Sequence, residues 1–220
     1  MLVSHKQKFV FVKTMKTAGT SVEAFFERHC VDDTQWECKH HRYESVSTAG
    51  IVGYRGPKQE SAIYYNHMSA KEILHHVGKD TWNAYFKFTI VRNPFDKMVS
   101  AFYHFEKSRN PDKYLNEVGH DIKNFRAWVR SGKKVNDKQL YLIEGQEVMD
   151  YYIRYEHLNE GLRFVCDNVG VEFEANALPD FKRGFRNTNY ALADFYDQES
   201  ADIVAQHYEF EINKFGYSLV

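Results

Sequence analysis

The sequence is poor in the residues that mark unusual protein classes. It has 3 cysteines (Cys30, Cys38 and Cys166), 4 prolines and 12 glycines in 220 residues. An odd, small number of cysteines without a framework spacing argues against a secreted disulfide scaffold and favours reduced thiols. So little proline and glycine excludes collagen-like and low-complexity chains. The 43% of hydrophobic and 16% of aromatic residues are instead enough to build a large core.

The chain also lacks a long apolar run and an excess of charge of either sign. No stretch approaches the ~20 apolar residues of a membrane-spanning helix, and the first residues do not form a signal peptide. The 29 lysines and arginines against 30 acidic residues give a net charge of −1, which argues against a dedicated nucleic-acid-binding protein. We therefore expect no membrane span, no nucleic-acid partner and a single domain over residues 1–220.

Short β-branched and aromatic runs alternate with helical patterns along the chain. Buried strands are predicted over residues 9–12, 62–66, 86–92 and 151–155. Helices are predicted over about residues 20–29, 69–77, 94–105, 121–129, 137–143, 159–168 and 197–213. Ser69 and Glu72 form a capping box at the second of these helices, and Pro94 suits the first turn of the third. The alternation predicts the α/β class, with a central, mainly parallel sheet flanked by helices.

The first candidate site is the turn between the strand at 9–12 and its helix. Gly19 and Ala18 allow a ligand to approach the backbone, Lys16 supplies a positive charge, and hydroxyls come from Thr17, Thr20 and Ser21. Together with the unpaired N–H groups of a helix start, this set suits a phosphate or sulfate group. It is not a Walker A loop, because Lys16 precedes the glycine. A plain turn whose hydroxyls cap the helix fits the same residues.

The second candidate site is at the end of the strand at 86–92. Arg92 lies where open α/β sheets bind ligands, and its guanidinium can grip a phosphate with two hydrogen bonds. Ser100 lies on the following helix, off its apolar stripe, and so can reach a ligand. An arginine paired with a carboxylate and a solvated serine fit the pattern equally well.

The two sites together resemble a known family. Residues 16–21 (KTAGTS) resemble the 5′-phosphosulfate loop of sulfotransferases, and residues 90–100 (IVRNPFDKMVS) closely resemble their 3′-phosphate motif. The motifs are similar to those of the carbohydrate branch, sulfotransferase family 2, which contains the heparan and chondroitin enzymes. Weaker similarity extends over residues 151–170, 197–199 and 215–217.

This resemblance implies a P-loop-like, three-layer fold and a donor, 3′-phosphoadenosine 5′-phosphosulfate. Carried over position by position, the residues that hold the 5′-phosphosulfate are Lys16, Thr17, Ala18, Gly19, Thr20 and Ser21. Arg92 and Ser100 would hold the 3′-phosphate. Arg183 is a further candidate, although its Lys-Arg-Gly order differs from the Arg-Lys-Gly of related cytosolic enzymes, and a solvated basic loop or a site for an anionic acceptor fits it too.

His67 is the candidate base. Sulfuryl transfer to an alcohol needs a group that takes the hydroxyl proton, and histidine suits neutral pH. Of the 11 histidines, His67 follows the predicted strand at 62–66, which places it at the same sheet edge as Lys16 and Arg92. Residues 65–69 also resemble the segment that carries the catalytic histidine in heparan-type 2-O-sulfotransferases. A loop histidine bound by the backbone is the alternative.

The predicted activity is therefore in-line sulfuryl transfer to a hydroxyl, on a carbohydrate acceptor. His67 would act as base, Lys16 would neutralise the leaving phosphate oxygen, and no metal is required. A P-loop-type nucleotide kinase and a non-catalytic nucleotide-binding relative are the competing interpretations. A zinc site at Cys30, Cys38, His40 and His41 is disfavoured by its spacing. We expect a cytoplasmic enzyme or a trimmed luminal catalytic domain.

Overall fold

A mixed sheet of six strands lies at the centre of the first of two units in the computed structural model, which describes residues 1–32, 36–107, 120–174, 178–179 and 190–219. The first unit comprises Met1–Val91 and Asp137–Phe181, and the second comprises Arg92–Asn136 and Lys182–Val220. The strands of the chain are β1 (Leu2–Ser4), β2 (Phe9–Val12), β3 (Ser45–Val46), β4 (Gly50–Val52), β5 (Phe86–Val91), β6 (Leu142–Ile143), β7 (Gln146–Glu147) and β8 (Tyr151–Arg154). The single-domain organisation stays a prediction.

The order of strands in the sheet is β3-β4-β1-β2-β5-β8. β2, β5 and β8 are parallel, with Val12 opposite Thr89 and Val91 opposite Arg154. The short strands β1, β3 and β4 extend the sheet by antiparallel pairing. The α/β class with a central sheet flanked by helices is thus confirmed, and the carboxyl ends of the parallel strands β2, β5 and β8 share one edge.

Helices belong to both units. The first unit holds α1 (Gly19–Glu27), α2 (Ala70–Val77), α3 (Lys79–Ala84), α6 (Lys138–Tyr141) and α7 (Leu158–Val169). The second unit holds α4 (Pro94–Phe102), α5 (His120–Arg130), α8 (Gln198–His207) and α9 (Glu209–Phe215), with a π-helical turn at Tyr103–Lys107. Within the described ranges, no helix combines the length and the apolar character needed to cross a membrane.

Aromatic side chains form the core of the first unit. All four residues of β2 are fully buried, as expected for a strand covered on both faces. Phe11 stacks on Phe88 of β5 with ring centroids 5.0 Å apart, and Phe26 of α1 packs edge-on against Phe9 at 5.2 Å. This packing fixes β2, β5 and α1 relative to one another, and therefore fixes the turn that joins β2 to α1.

Three local predictions change. Residues 62–66 do not form a strand. The Ile63 and Tyr64 amides donate to Glu44 Oε1, so these two amides bond to a side-chain carboxylate and not to the backbone of a neighbouring strand. The helix expected over 137–143 ends at Tyr141, because Leu142 and Ile143 pair with β7. The last helix divides at Tyr208, whose hydroxyl donates to the Val135 carbonyl at 2.6 Å. The capping box of Ser69 and Glu72 is confirmed.

Candidate functional site

The turn from β2 to α1 has an unusual backbone. Lys16 and Ala18 both have positive φ angles, 60° and 55°, a conformation that costs a residue with a side chain roughly 1–2 kcal/mol. Left-handed residues within such turns gather amide N–H groups into concave nests that bind anions. The strain is stored at the predicted anion site, as is common where function requires a fixed geometry.

The start of α1 has no polar side chain at its N-cap position. Ala18 is the N-cap residue, and no side-chain cap is present among the described residues. Residues 19–22 include no acidic side chain, so nothing there opposes the positive end of the helix dipole. The interpretation in which the threonine and serine hydroxyls cap the helix stays an alternative.

Hydrogen bonds from Thr14 and Met15 fix the conformation of the turn between β2 and α1. The Thr17 hydroxyl is buried and lies 3.0 Å from the hydroxyl of Thr14, which donates to the Ile90 carbonyl of β5. The Met15 amide donates to the buried carboxylate of Asp137 at 3.1 Å and 3.2 Å. These bonds tie the loop to β5 and to the start of α6. Thr17 thus shapes the loop from inside, a part that the sequence pattern does not reveal.

Lys13 lies directly under the start of α1. The residue is 2% exposed, and its Nζ lies 2.8 Å from Glu23 Oε2 and 3.3 Å from Thr20 Oγ1. A methyl group at Gly19 would lie 2.9 Å from Lys13 Cγ. The missing side chain of Gly19 therefore makes room for this lysine. The sequence analysis does not identify Lys13 as a site residue. The one sequence feature that could have indicated it is the position of this lysine directly after a buried strand.

Glu23 is the centre of a buried ionic cluster. It pairs with Lys13, with Arg55 at 2.7 Å and with the Met1 amino group at 2.7 Å. Burial alone would raise the pKa of Glu23, but these positive charges outweigh burial and hold the pKa well below its usual value. The carboxylate is therefore ionised, and it balances positive charge beneath the loop.

His67 contacts the same segment. It follows the bridge residue Tyr65 in a turn, not a strand, and has a φ of 60°. Its Nδ1 lies 3.1 Å from the Lys13 carbonyl oxygen. Because a carbonyl only accepts, Nδ1 carries the proton and the lone pair is on Nε2. Burial lowers the pKa of His67 to about 4, helped by the charge of Lys13, so the ring is neutral at pH 7.

Arg92 and Ser100 belong to the second unit. The Arg92 Nε donates to Asp96 Oδ2 at 2.8 Å, and an Nη lies 2.6 Å from the same oxygen. Asn93 caps α4 by accepting from the Phe95 amide. Asp96 and Ser100 are four residues apart on the half-buried face of α4. The carboxylate partner foreseen for Arg92 is thus present, and Asp96 lies on the face that carries Ser100.

Other candidates are not joined to this arrangement. Arg183 lies outside the described residues. Cys30 is buried, with its Sγ 3.6 Å from the Phe26 carbonyl, whereas Cys38 is exposed. In the described part of the chain, no three histidine, cysteine, aspartate or glutamate side chains are grouped to hold a metal.

Comparison with protein families agrees with this anion-binding geometry. Residues 1–218 match the model of the Sulfotransferase family. The chain belongs to the sulfotransferase family. It is therefore an enzyme of a family that transfers a sulfuryl group from 3′-phosphoadenosine 5′-phosphosulfate to a hydroxyl. The left-handed residues Lys16 and Ala18, and the absence of acidic side chains from the first turn of α1, suit such a donor in this sulfotransferase. Neither the search of curated proteins nor that of solved structures found a match.

Proposed function

We propose that this sulfotransferase acts on a carbohydrate hydroxyl by in-line displacement at sulfur, with His67 as the base. The observation that carries the proposal is the hydrogen bond between His67 Nδ1 and the Lys13 carbonyl, which fixes a neutral imidazole to the segment leading into the anion-binding loop. The carbohydrate part is supported by the likeness of residues 90–100 to the motif of the carbohydrate branch.

Donor binding is assigned to two segments of the chain. In the first unit, the residues proposed to hold the 5′-phosphosulfate are Lys16, Thr17, Ala18, Gly19, Thr20 and Ser21. Amide groups of the nest and of the α1 start would supply most of the hydrogen bonds, because the Thr17 hydroxyl is already engaged with Thr14. In the second unit, Arg92 and Ser100 are proposed to hold the 3′-phosphate, with Arg183 as a further contact.

The donor supplies an activated sulfuryl group, and the residues of the chain do the rest. His67 Nε2 takes the acceptor proton while the acceptor oxygen forms its bond to sulfur. The bond between sulfur and the phosphate oxygen breaks at the same time, and Lys16 neutralises the charge that develops on that oxygen. Preorganised donors of this kind contribute ~3 kcal/mol each to transition-state stabilisation.

The acceptor class is tested by transfer of labelled sulfate. The protein is incubated with the ³⁵S-labelled donor and, separately, with desulfated heparan and chondroitin chains, a tyrosine-containing peptide and a simple phenol. We expect label on a polysaccharide. Label on the peptide or the phenol alone would overturn the carbohydrate assignment, and absence of transfer to any acceptor would favour a non-catalytic relative.

Nucleotide choice is tested by calorimetry. We expect adenosine 3′,5′-bisphosphate to bind without Mg²⁺ and more tightly than ATP. Mg²⁺-dependent binding of ATP, with none of the bisphosphate, would contradict the donor assignment and favour a kinase-like enzyme.

A further inference from the structure

Lys13 touches both parts of the candidate site in the first unit. Its side chain passes under Gly19, where an added methyl group would lie 2.9 Å from Cγ and 3.2 Å from Cε. Its ammonium group reaches Thr20 Oγ1 in the first turn of α1, and Glu23 Oε2 one turn later. The start of α1 therefore packs against the aliphatic part of the Lys13 side chain.

The main chain of the same residue holds the histidine. The Lys13 carbonyl oxygen lies 3.1 Å from His67 Nδ1 and sets the tautomer of the ring. One residue thus contacts the loop through its side chain and the imidazole through its backbone. Any shift of Lys13 changes the distance between these two groups.

We propose that Lys13 is a positioning residue for sulfuryl transfer, which seats the phosphosulfate loop on its stem and holds His67 at a fixed place beside that loop. The assignment rests on the proposed function for the part that His67 plays, and on the contacts above for the rest. Lys13 touches neither donor nor acceptor in this scheme, so it acts through Gly19, Thr20 and His67.

The charge of Lys13 has a second effect on the histidine. The charged groups that act on His67 are the Lys13 ammonium after β2, the Met1 amino group before β1 and the Glu23 carboxylate on α1. Burial lowers the His67 pKa most, the two cations lower it further, and Glu23 opposes them. Removing the ammonium should therefore let the ring take up a proton at a higher pH.

The main test replaces the charge and keeps the stem, in Lys13→Met. We expect the His67 resonance in an NMR titration to move to a higher midpoint, and the acid limb of the transfer rate to move with it. We also expect the affinity for adenosine 3′,5′-bisphosphate to fall about tenfold, because residue 13 no longer donates a hydrogen bond to Thr20 in the first turn of α1. Lys13→Arg keeps the charge, so the His67 midpoint should stay low.

The matched control is Lys87→Met. Lys87 is also a buried, ion-paired lysine of this unit, bonded to Asp150 at the amino-terminal end of β5. We expect it to lower the free energy of unfolding while leaving the His67 midpoint and the bisphosphate affinity unchanged. If Lys87→Met moves them as much as Lys13→Met does, general loss of stability explains both, and the proposal is wrong.

A second variant keeps the test usable if Lys13→Met does not fold. Glu23→Gln removes the opposing carboxylate, and we expect the His67 midpoint to move in the other direction, to lower pH. Lys13→Arg should leave the His67 midpoint low. An unchanged midpoint in Glu23→Gln, together with unaltered bisphosphate binding in that variant, would overturn the positioning role. The NMR readout needs no turnover. A shifted His67 midpoint in Lys13→Met or Glu23→Gln, found together with normal activity in His67→Ala, would therefore refute only the base assignment.

Discussion

The guanidinium of Arg92 holds the carboxylate of Asp96 through two nitrogens, Nε at 2.8 Å and an Nη at 2.6 Å. Arg92 directly follows β5 in the chain, and Asp96 lies in the first turn of α4. The ion pair fixes the direction of a flexible side chain before any ligand binds, which reduces the entropy that phosphate binding would cost.

The two segments proposed to bind the donor phosphates should respond to different parts of the nucleotide. We expect Arg92→Ala to weaken adenosine 3′,5′-bisphosphate by ~10- to 100-fold, since a charge-assisted bond contributes about 1.5–3 kcal/mol. The same variant should bind adenosine 5′-phosphate normally, because that nucleotide has no 3′-phosphate. Lys16→Ala should weaken both nucleotides. Calorimetry measures all four affinities.

Arg130→Ala is the control for this experiment. Arg130 is an ion-paired arginine of the same unit, bonded to Glu199 at 2.6 Å and also to Asp197. Its loss should leave both nucleotide affinities unchanged. An Arg92→Ala variant that weakens both nucleotides equally would show that Arg92 does not recognise the 3′-phosphate.

Removal of the imidazole should separate chemistry from binding. We expect His67→Ala to lower kcat for sulfuryl transfer by ~100-fold or more, the usual contribution of a general base, while the bisphosphate affinity stays within a few fold. His75→Ala, on the exposed side of α2, is the control. Transfer by His67→Ala at the rate of the unaltered enzyme would mean that another group takes the proton.

The low pKa of His67 should make stability depend on pH. The ring is neutral in the folded chain down to a pKa of about 4, whereas an unfolded histidine takes up a proton near pH 6.5. The unfolded state therefore binds more protons between these values, and the free energy of unfolding falls as the pH drops from about 6.5 to 4. Urea denaturation at pH 7 and pH 4.5 should show a smaller loss in His67→Asn.

Asparagine is chosen because its side-chain amide can still donate to the Lys13 carbonyl. All other residues are the same in the two proteins, so the difference between them reports His67 alone. Equal losses of stability in the two proteins would contradict a lowered pKa at this position.

Residue types and spacing were enough to locate the elements that carry the site. Runs of buried apolar residues predict β2, β5 and β8, and Ser69 with Glu72 predicts the start of α2, because each of these signals is local. The antiparallel strand β1 was not predicted. Three residues such as Leu2–Ser4 have too short a pattern to read, and they form a strand only because Phe9–Val12 and Gly50–Val52 pair with them.

The contacts that shape the site depend on residues far apart in the chain. The residues around Met15 contain no pattern that predicts the hydrogen bond from its amide to Asp137, which lies 122 positions later in the chain. Likewise, the residue types at Ile63 and Tyr64 predict a strand, but in the structure their amide groups donate to the distant Glu44 side chain. Sequence patterns show which residues can bind an anion, whereas the positions of Lys13 and His67 beside one another follow only from tertiary packing.

Gly161 should tolerate no larger residue. A methyl group there would lie 2.6 Å from Ile153 Cγ2, and Ile153 is fully buried in β8. We expect Gly161→Ala to lower the free energy of unfolding by about 1–3 kcal/mol through overpacking, although alanine favours helices. Glu160→Ala, at an exposed neighbouring position of α7, should change it little. Urea denaturation compares the two variants, and a stabilised Gly161→Ala would show that α7 can move away from the sheet.

The contact between Gly19 and Lys13 can be measured by a double-mutant cycle. In Gly19→Ala the new methyl group meets Lys13 Cγ at 2.9 Å, so we expect loss of stability together with weaker bisphosphate binding. Lys13→Ala removes that stem and leaves the space that the methyl group needs. Gly19→Ala should therefore cost less stability in the Lys13→Ala background, with a coupling free energy of roughly 0.5–3 kcal/mol. Strictly additive effects would mean that the two side chains do not meet, and that Gly19 serves the close approach of a ligand alone.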